Sequence, residues 1–301
     1  MNDYLRASKA KNTVRAYQSD WDQFTKWCHR FGFQALPADE EVVGAYISFL
    51  ADNGRRTSTI RRHLTSIAEA HRAAKSETIP SDTFYVRQIW KGIKHSKKMA
   101  TTQKVAAVIA DIRRMVDAQP PSLMGLRNKM ILLIGYAGAF RRSEIVSLDW
   151  EDVQFVREGM IVTLRQSKTD QEGEGRKVGI QYGTRWETCP VRGLQEWMEQ
   201  SKAQSGPIFR RFDRFGQVTK HRLSAQSVAL VVKDAARSAG LDATQYSGHS
   251  LRAGSATQGA KSGAGESVIM KQTGHTSSDM VRRYIRDGNL FRDNLTSYLG
   301  L

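Results

Sequence analysis

The sequence predicts a mainly α protein of the α+β class: an N-terminal α-helical bundle, then a mostly helical C-terminal domain with a small antiparallel sheet. Three observations carry this. Apolar residues recur at helical spacing across the first hundred positions. That pattern lapses into a basic, small-residue stretch between Lys94 and Lys104. Further on, the β-prone run Met160–Leu164 is followed by a second, Lys177–Ile180, across a polar, glycine-containing tip at Asp170–Gly175.

The elements follow in order. Val14, Tyr17, Trp21, Phe24 and Cys28 line one face of a first helix. Asp39 is placed to cap a second, with Val43, Tyr46, Ile47 and Leu50 inside. A third starts at Thr57 or Ser58 and runs through Ile60, Leu64, Ile67 and His71. A fourth follows Pro80, with Asp82 as its cap and Val86, Ile89, Trp90 and Ile93 inside. Four amphipathic helices with short joins make a small bundle, assigned to residues 1–98. Residues 99–104 are a basic linker and 105–301 the second domain, with a tail at 286–301. That domain opens with helices over Val105–Ala118 and Leu126–Ala137; after the hairpin the pattern returns to helix, and Gly206-Pro207 marks a break. A periodic helix over Val228–Ala239 is ended by Gly240.

The 301 residues are 40% apolar and 25% charged, adequate for packed cores and against wholesale disorder. Lys plus Arg number 46 against 30 Asp plus Glu, a net charge of +16 and a pI near 10.0. The excess is shared, 18 against 10 in residues 1–104 and 28 against 20 in the rest. Such a field draws a polyanion. Nucleic acid gripped from two sides is the expected partner, an anionic membrane surface the rival. Cys28 and Cys189 are the only cysteines and lie far apart, so neither a zinc site nor a disulfide framework is indicated, and a reducing cytoplasm is expected. Met1 to Asn12 lacks the apolar segment of a signal peptide, and the longest apolar run, Met130 to Ala139, falls short of a membrane span.

The chemistry-bearing residues are Arg141, Lys168, His249, Arg252, His275 and Tyr284. Breaking a phosphodiester by direct attack adds negative charge to the non-bridging oxygens, and guanidinium forks answer that charge. Arg141 and Arg252 are the natural pair. Arg252 lies one helical turn after His249, so a helix would put both on one face. A tyrosine hydroxyl, with a free pKa of about 10, needs a base or strong stabilisation of its anion. His249 can be that base, and Lys168 on a hairpin can protonate the departing oxygen. No metal or nucleotide motif accompanies the set, so Tyr284 itself is the expected nucleophile and no cofactor is called for.

These residues in this order resemble the tyrosine recombinases, the phage integrase family that includes Cre, the Xer proteins and lambda integrase. The likeness covers nearly the whole chain. It rests on Ala137–Ile145 around Arg141, Ser167-Lys168-Thr169, His249-Ser250-Leu251-Arg252, Gly274-His275 and Tyr284-Ile285, with 23 residues from Arg252 to His275 and nine more to Tyr284. Ala139-Phe140 departs from the family's usual Gly-Leu. The resemblance implies that Arg141 and Arg252 bind the scissile phosphate, Lys168 is the general acid, His249 assists proton transfer, His275 hydrogen-bonds the phosphate and Tyr284 forms the 3′-phosphotyrosyl link. Glu144 supports the site from behind. The implied fold is a two-domain clamp around DNA, and the implied activity is site-specific recombination without ATP or metal, by a tetramer on paired sites.

DNA contacts are expected at the helix start Arg55, Arg56, Thr57, Ser58, Thr59, Arg61 and Arg62, at Lys97 and Lys98, and at Lys220 and Arg222, because helix N-termini, hydroxyls and arginines suit phosphates and base edges. Phe291, Leu295, Tyr298 and Leu299 form an apolar stripe in the tail that docks either on its own domain or in a neighbouring protomer. Two other readings compete: a type IB topoisomerase, which shares this chemistry, and an architectural DNA-binding protein without catalysis.

Overall fold

A computed structural model describes residues 11–97, 104–165, 175–289 and 295–299. The chain divides into two compact units, Met1–Thr101 and Thr102–Leu301, each with its own core. Among the described residues no helix is long and apolar enough to cross a membrane.

The first unit holds helices α1 (Lys11–Phe31), α2 (Glu40–Asp52), α3 (Thr57–Ala73) and α4 (Phe84–Ser96). Phe24, Cys28, Val43, Tyr46, Ile47, Ile60, Ile67 and Val86 are buried between them, as the helical period requires. Each large apolar side chain so buried contributes about 1.5–3 kcal/mol. Polar groups, His71 and Asp20 among them, are buried with them. His71 donates from Nδ1 to the Ile67 carbonyl at 2.9 Å and accepts the Ala38 N–H on Nε2 at 3.0 Å, pinning the loop before α2 to α3. Asp20 takes both Nε and Nη2 of Arg62 at 2.6 and 2.9 Å.

The caps differ from expectation. Asp39 occupies the N-cap position of α2 without a side-chain cap bond. Thr83, not Asp82, caps α4 by accepting the Val86 N–H; Asp82 lies in a 3-10 turn, Pro80–Asp82, and pairs with Arg72 at 2.7 Å. Helix α4 also continues past Lys94 to Ser96, with the Lys94 ammonium 5.7 Å from the Trp90 ring centroid.

The second unit runs α5 (Ile109–Asp117), α6 (Leu123–Ala137), α7 (Arg142–Ser147), β1 (Val153–Val156), β2 (Gly159–Leu164), β3 (Arg176–Gln181), α8 (Pro190–Ser201), β4 (Arg210–Phe212), β5 (Val218–Arg222), α9 (Ala225–Ser238), α10 (Gly248–Lys261), α11 (Glu266–Thr273) and α12 (Ser278–Gly288). The sheet is antiparallel in the order β1-β2-β3, with Met160 opposite Ile180 and Val162 opposite Val178. Alternation buries Met160, Val162, Leu164, Val178 and Ile180 against α6 and α8 core residues such as Ile131 and Trp197.

Three features depart from the sequence reading. The helix expected from Val105 begins at Ile109. Residues 104–108 instead run as an extended strap, with Val105 N–H on the Gln245 carbonyl at 2.9 Å and Ala107 N–H on the Ser250 carbonyl at 3.1 Å. Gly254 lets the strap approach α10, for a Cβ there would lie 1.9 Å from the Ala107 oxygen. Tertiary partners satisfy this backbone, so helix is not required. The second feature is the β4–β5 hairpin, which did not stand out from periodicity; β5 is only Val-Thr-Lys-His-Arg and half-exposed. In the tail, 295–298 is a 3-10 turn with Leu295, Tyr298 and Leu299 exposed, where a helical stripe was expected. Phe291, Lys98, Lys168 and the hairpin tip up to residue 174 lie outside the described residues.

Candidate active site

Four elements converge in the second unit. Helix α6 ends at Ala137, and the chain turns through Gly138 and Ala139 before Arg141 leads into α7. Ala139 is fully buried at φ 51°, in the left-handed region. That conformation costs a non-glycine residue about 1 kcal/mol, which gives the family's usual glycine at this position a physical reason. The turn presents the Ala139 carbonyl to Nη1 of Arg252 at 2.8 Å. Arg141 is anchored by Glu144, which is 3% exposed and accepts Arg141's backbone N–H at 2.9 Å and its Nη1 at 2.6 Å.

Helix α10 starts at the cap Ser247, whose hydroxyl accepts the His249 N–H at 3.2 Å. His249 and Arg252 are therefore one turn apart on the same helix. Helix α12 is capped by Ser277 and buries Val281 and Tyr284 against α10. The Tyr284 hydroxyl lies 3.1 Å from His249 Nε2. Helix α11 ends at Gly274, left-handed at φ 66°, and the turn delivers His275 with Nε2 3.1 Å from Arg252 Nη2.

The electrostatics are those of a desolvated cationic cluster. Burial, with the charges of Arg252 and Arg141, holds His249 below the ordinary imidazole pKa, so it is neutral and has a lone pair to offer. The same causes press His275 down to about 4. Arg252, 1% exposed, is lowered by burial to about 10 and stays protonated at neutral pH. Burial raises the Tyr284 phenol above its ordinary value while Arg252, Arg283 and Arg141 pull the other way. The resting phenol therefore keeps its proton and needs a base.

A half-buried cation beside the cluster escaped the sequence reading. Arg176 opens β3, donates from Nη1 to the Gln272 carbonyl at 2.8 Å, and holds Nη2 3.7 Å from Glu144 Oε2. Its Nε and Nη2 are buried without hydrogen-bond partners. Extending the strand alternation by one residue would have found it, because Arg176 shares its face with Val178 and Ile180.

The sequence-read residues thus fall out as follows. Arg141, Glu144, His249, Arg252, His275 and Tyr284 lie in one cluster of hydrogen bonds and mutual charge effects. In the first unit, Arg55, Arg56, Ser58, Arg61 and Arg62 are exposed and Thr57 and Thr59 half-buried around the start of α3. Arg62 is engaged by Asp20, and Lys97 donates to the Arg55 carbonyl at 3.4 Å. Lys220 is exposed on β5. The Arg222 guanidinium, partly exposed, bonds the Val146 carbonyl at 2.6 Å and Asp149 Oδ1 at 2.5 Å.

Comparison with known proteins places this geometry. Residues 109–289 match the phage integrase family, and residues 2–78 match the phage integrase N-terminal SAM-like domain. The chain is 39% identical over 293 residues to an integrase/recombinase xerD homolog of Selenomonas ruminantium, covering 96% of this chain and 86% of that one. It is 24% identical over 306 residues to the recombinase cre of Escherichia phage P1, covering 94% and 86%. The fold is shared with a Tn1549 transposon integrase solved with transposon right-end DNA (TM-score 0.66, 14% identity, 99% and 96% covered). It is shared equally with a lambda integrase dimer solved on a COC′ core site (TM-score 0.63, 17% identity, 94% and 92% covered). The chain belongs to the phage integrase family, the tyrosine recombinases.

Proposed function

We propose that this protein is a site-specific recombinase that cleaves and rejoins duplex DNA through a 3′-phosphotyrosine at Tyr284. The observation that carries the reading is the 3.1 Å contact between the Tyr284 hydroxyl and a neutral His249, beside the charges of Arg252 and Arg141. Arg141 and Arg252 hold the scissile phosphate and answer the charge that grows on its oxygens. Tyr284 Oη attacks phosphorus, its proton passes to His249 Nε2, and the bond to the 5′ oxygen breaks. Lys168 supplies the proton to that leaving oxygen, the role its match to the family's hairpin lysine implies. His275 bonds the phosphate from the Arg252 side. Rejoining is the reverse attack by a 5′ hydroxyl. One phosphoester replaces another, so the bond energy is kept and ATP is not consumed. The guanidiniums and imidazoles supply the charge stabilisation that a divalent metal gives other phosphoryl-transfer sites.

The partner is duplex DNA with a defined site, contacted in part by the exposed start of α3. Paired sites are brought together by a tetramer, with the tail docking in a neighbouring protomer; the exposed Leu295 and Tyr298 support that reading. The test is Tyr284→Phe on a nicked suicide duplex. DNA binding persists and the covalent adduct disappears. An adduct formed by the variant refutes the assignment of Tyr284.

A further inference from the structure

Arg176 has no place in the chemistry above, yet it is fixed against three parts of the cluster. Its Nη1 donates to the Gln272 carbonyl at 2.8 Å and reaches the Lys271 carbonyl at 3.4 Å, which ties it to the last turn of α11. The turn that carries His275 rests against its guanidinium: a Cβ on Gly274 would lie 2.6 Å from Nε and 2.8 Å from Cζ. Its Nη2 lies 3.7 Å from Glu144 Oε2. Nε and Nη2 are buried and make no hydrogen bond, so what this end of the fork contributes is charge. An arginine side chain keeps that charge at any working pH. The charge interacts with Glu144 and is felt at Arg252 and His275. Glu144 sets a full negative charge 2.6 Å from Arg141 Nη1, close enough to offset most of what that arginine offers a phosphate. Two phosphate-facing arginines and one carboxylate leave a single net positive charge, and Arg176 makes it two.

We propose that Arg176 is a positioning residue for the cleavage step, whose guanidinium, fixed at the end of α11, answers the charge of Glu144 and so leaves Arg141 facing the scissile phosphate as a net cation. Glu144 can then anchor Arg141 without cancelling it. The site keeps a preorganised positive field for the charge that grows on the phosphate oxygens. Arg176 acts from behind, through Glu144, and needs no contact with DNA. The inference rests on reading Arg141 and Arg252 as the phosphate-binding pair.

The experiment compares the full-length wild type with Arg176→Gln and Arg176→Lys in two assays. Inorganic phosphate is titrated without DNA and followed by the His249 and His275 ring resonances, which report on this site rather than on the basic surface. Single-turnover cleavage is measured on suicide duplexes whose scissile group is either the ordinary phosphodiester or a methylphosphonate, which carries no charge. Arg176→Gln should bind phosphate about tenfold more weakly and cleave the ordinary duplex about tenfold more slowly, the effect of one charge at about 10 Å where the effective dielectric is about 20. On the methylphosphonate the loss should shrink to about threefold or less, because the neutral group gains less from a net cation. Arg176→Lys, which keeps the charge, should stay within about threefold of wild type throughout. A glutamine variant that matches wild type, or is slowed equally on both duplexes, overturns the proposal; in the second case Arg176 merely holds the end of α11. A lysine variant as impaired as the glutamine variant overturns it too. Should the glutamine variant fail to fold, or the methylphosphonate resist the wild type, the lysine variant and the phosphate titration decide. A wild type that binds phosphate about tenfold more tightly than Arg176→Gln, yet never forms an adduct on any DNA, would refute the recombinase reading and leave the charge role standing.

Discussion

Replacing Glu144 by Gln tests the electrostatic reasoning where it is sharpest. Glu144 is 3% exposed and is the carboxylate whose charge acts on Arg176 and Arg252 as well as bonding Arg141. The amide keeps the shape and can still accept the Arg141 backbone N–H, now at 2.9 Å. It loses the negative charge, and its NH₂, in the place of Oε1, meets Arg141 Nη1 donor to donor. Removing one partner of a buried ion pair costs about 3–5 kcal/mol. Retaining the backbone bond recovers about 1 kcal/mol, which leaves a loss of about 3 kcal/mol. For a unit of this size, that lowers the melting temperature by about 6–12 °C. The assay is thermal unfolding of the full chain followed through the transition of the Thr102–Leu301 unit, with and without sulfate. Sulfate should stabilise Glu144→Gln more than the wild type, since the variant presents three arginines without their counter-charge. A variant that melts within about 1 °C of wild type, with no difference in its sulfate response, refutes the view that Glu144 balances this cluster.

Other expectations follow from single contacts. His275, near 4 in the fold against about 6.5 in the unfolded chain, disfavours the protonated form. The unfolded state therefore binds the extra proton as pH falls, and stability should be complete above pH about 6.5 and decline from there towards about 4. His275→Gln should flatten that decline in a pH series of urea melts, leaving the smaller slope from His249, which is shifted the same way. His71→Leu should weaken the Met1–Thr101 unit by about 1–3 kcal/mol, because the buried Ala38 N–H loses its acceptor; a denaturant midpoint unchanged from wild type contradicts that accounting. Gly254→Ala should cost more than about 2 kcal/mol, as the new methyl meets the Ala107 oxygen, and should speed amide exchange at Val105 and Ala107 as the strap lifts. Unaltered exchange there counts against the close approach.

Much of the fold could be read along the chain. The four helices of the first unit appear where the apolar spacing puts them, and Met160 and Ile180 pair across β2 and β3. Both signals are local periodicities. The departures have identifiable causes. Thr83 rather than Asp82 caps α4 because Asp82 is taken up in the 3-10 turn and the helix begins one residue later, at Phe84. The strap at 104–108 is extended because α10 and the Ala243–Gln245 turn supply its backbone partners. For the strap the deciding partners are distant in sequence; for the cap the Val86 N–H lies three residues from Thr83.

By itself, the sequence determined the sign and spread of the charge, the helical character of both units, and the order Arg141, His249, Arg252, His275, Tyr284 that marks the family. These are fixed by residue type and spacing. Only the tertiary structure decided which atoms face one another: that Arg252 reaches a carbonyl 113 residues away, and that Arg176 lies beside Glu144. Hydrogen bonds and charge effects act through space over a few ångströms, and no pattern along the chain records that distance.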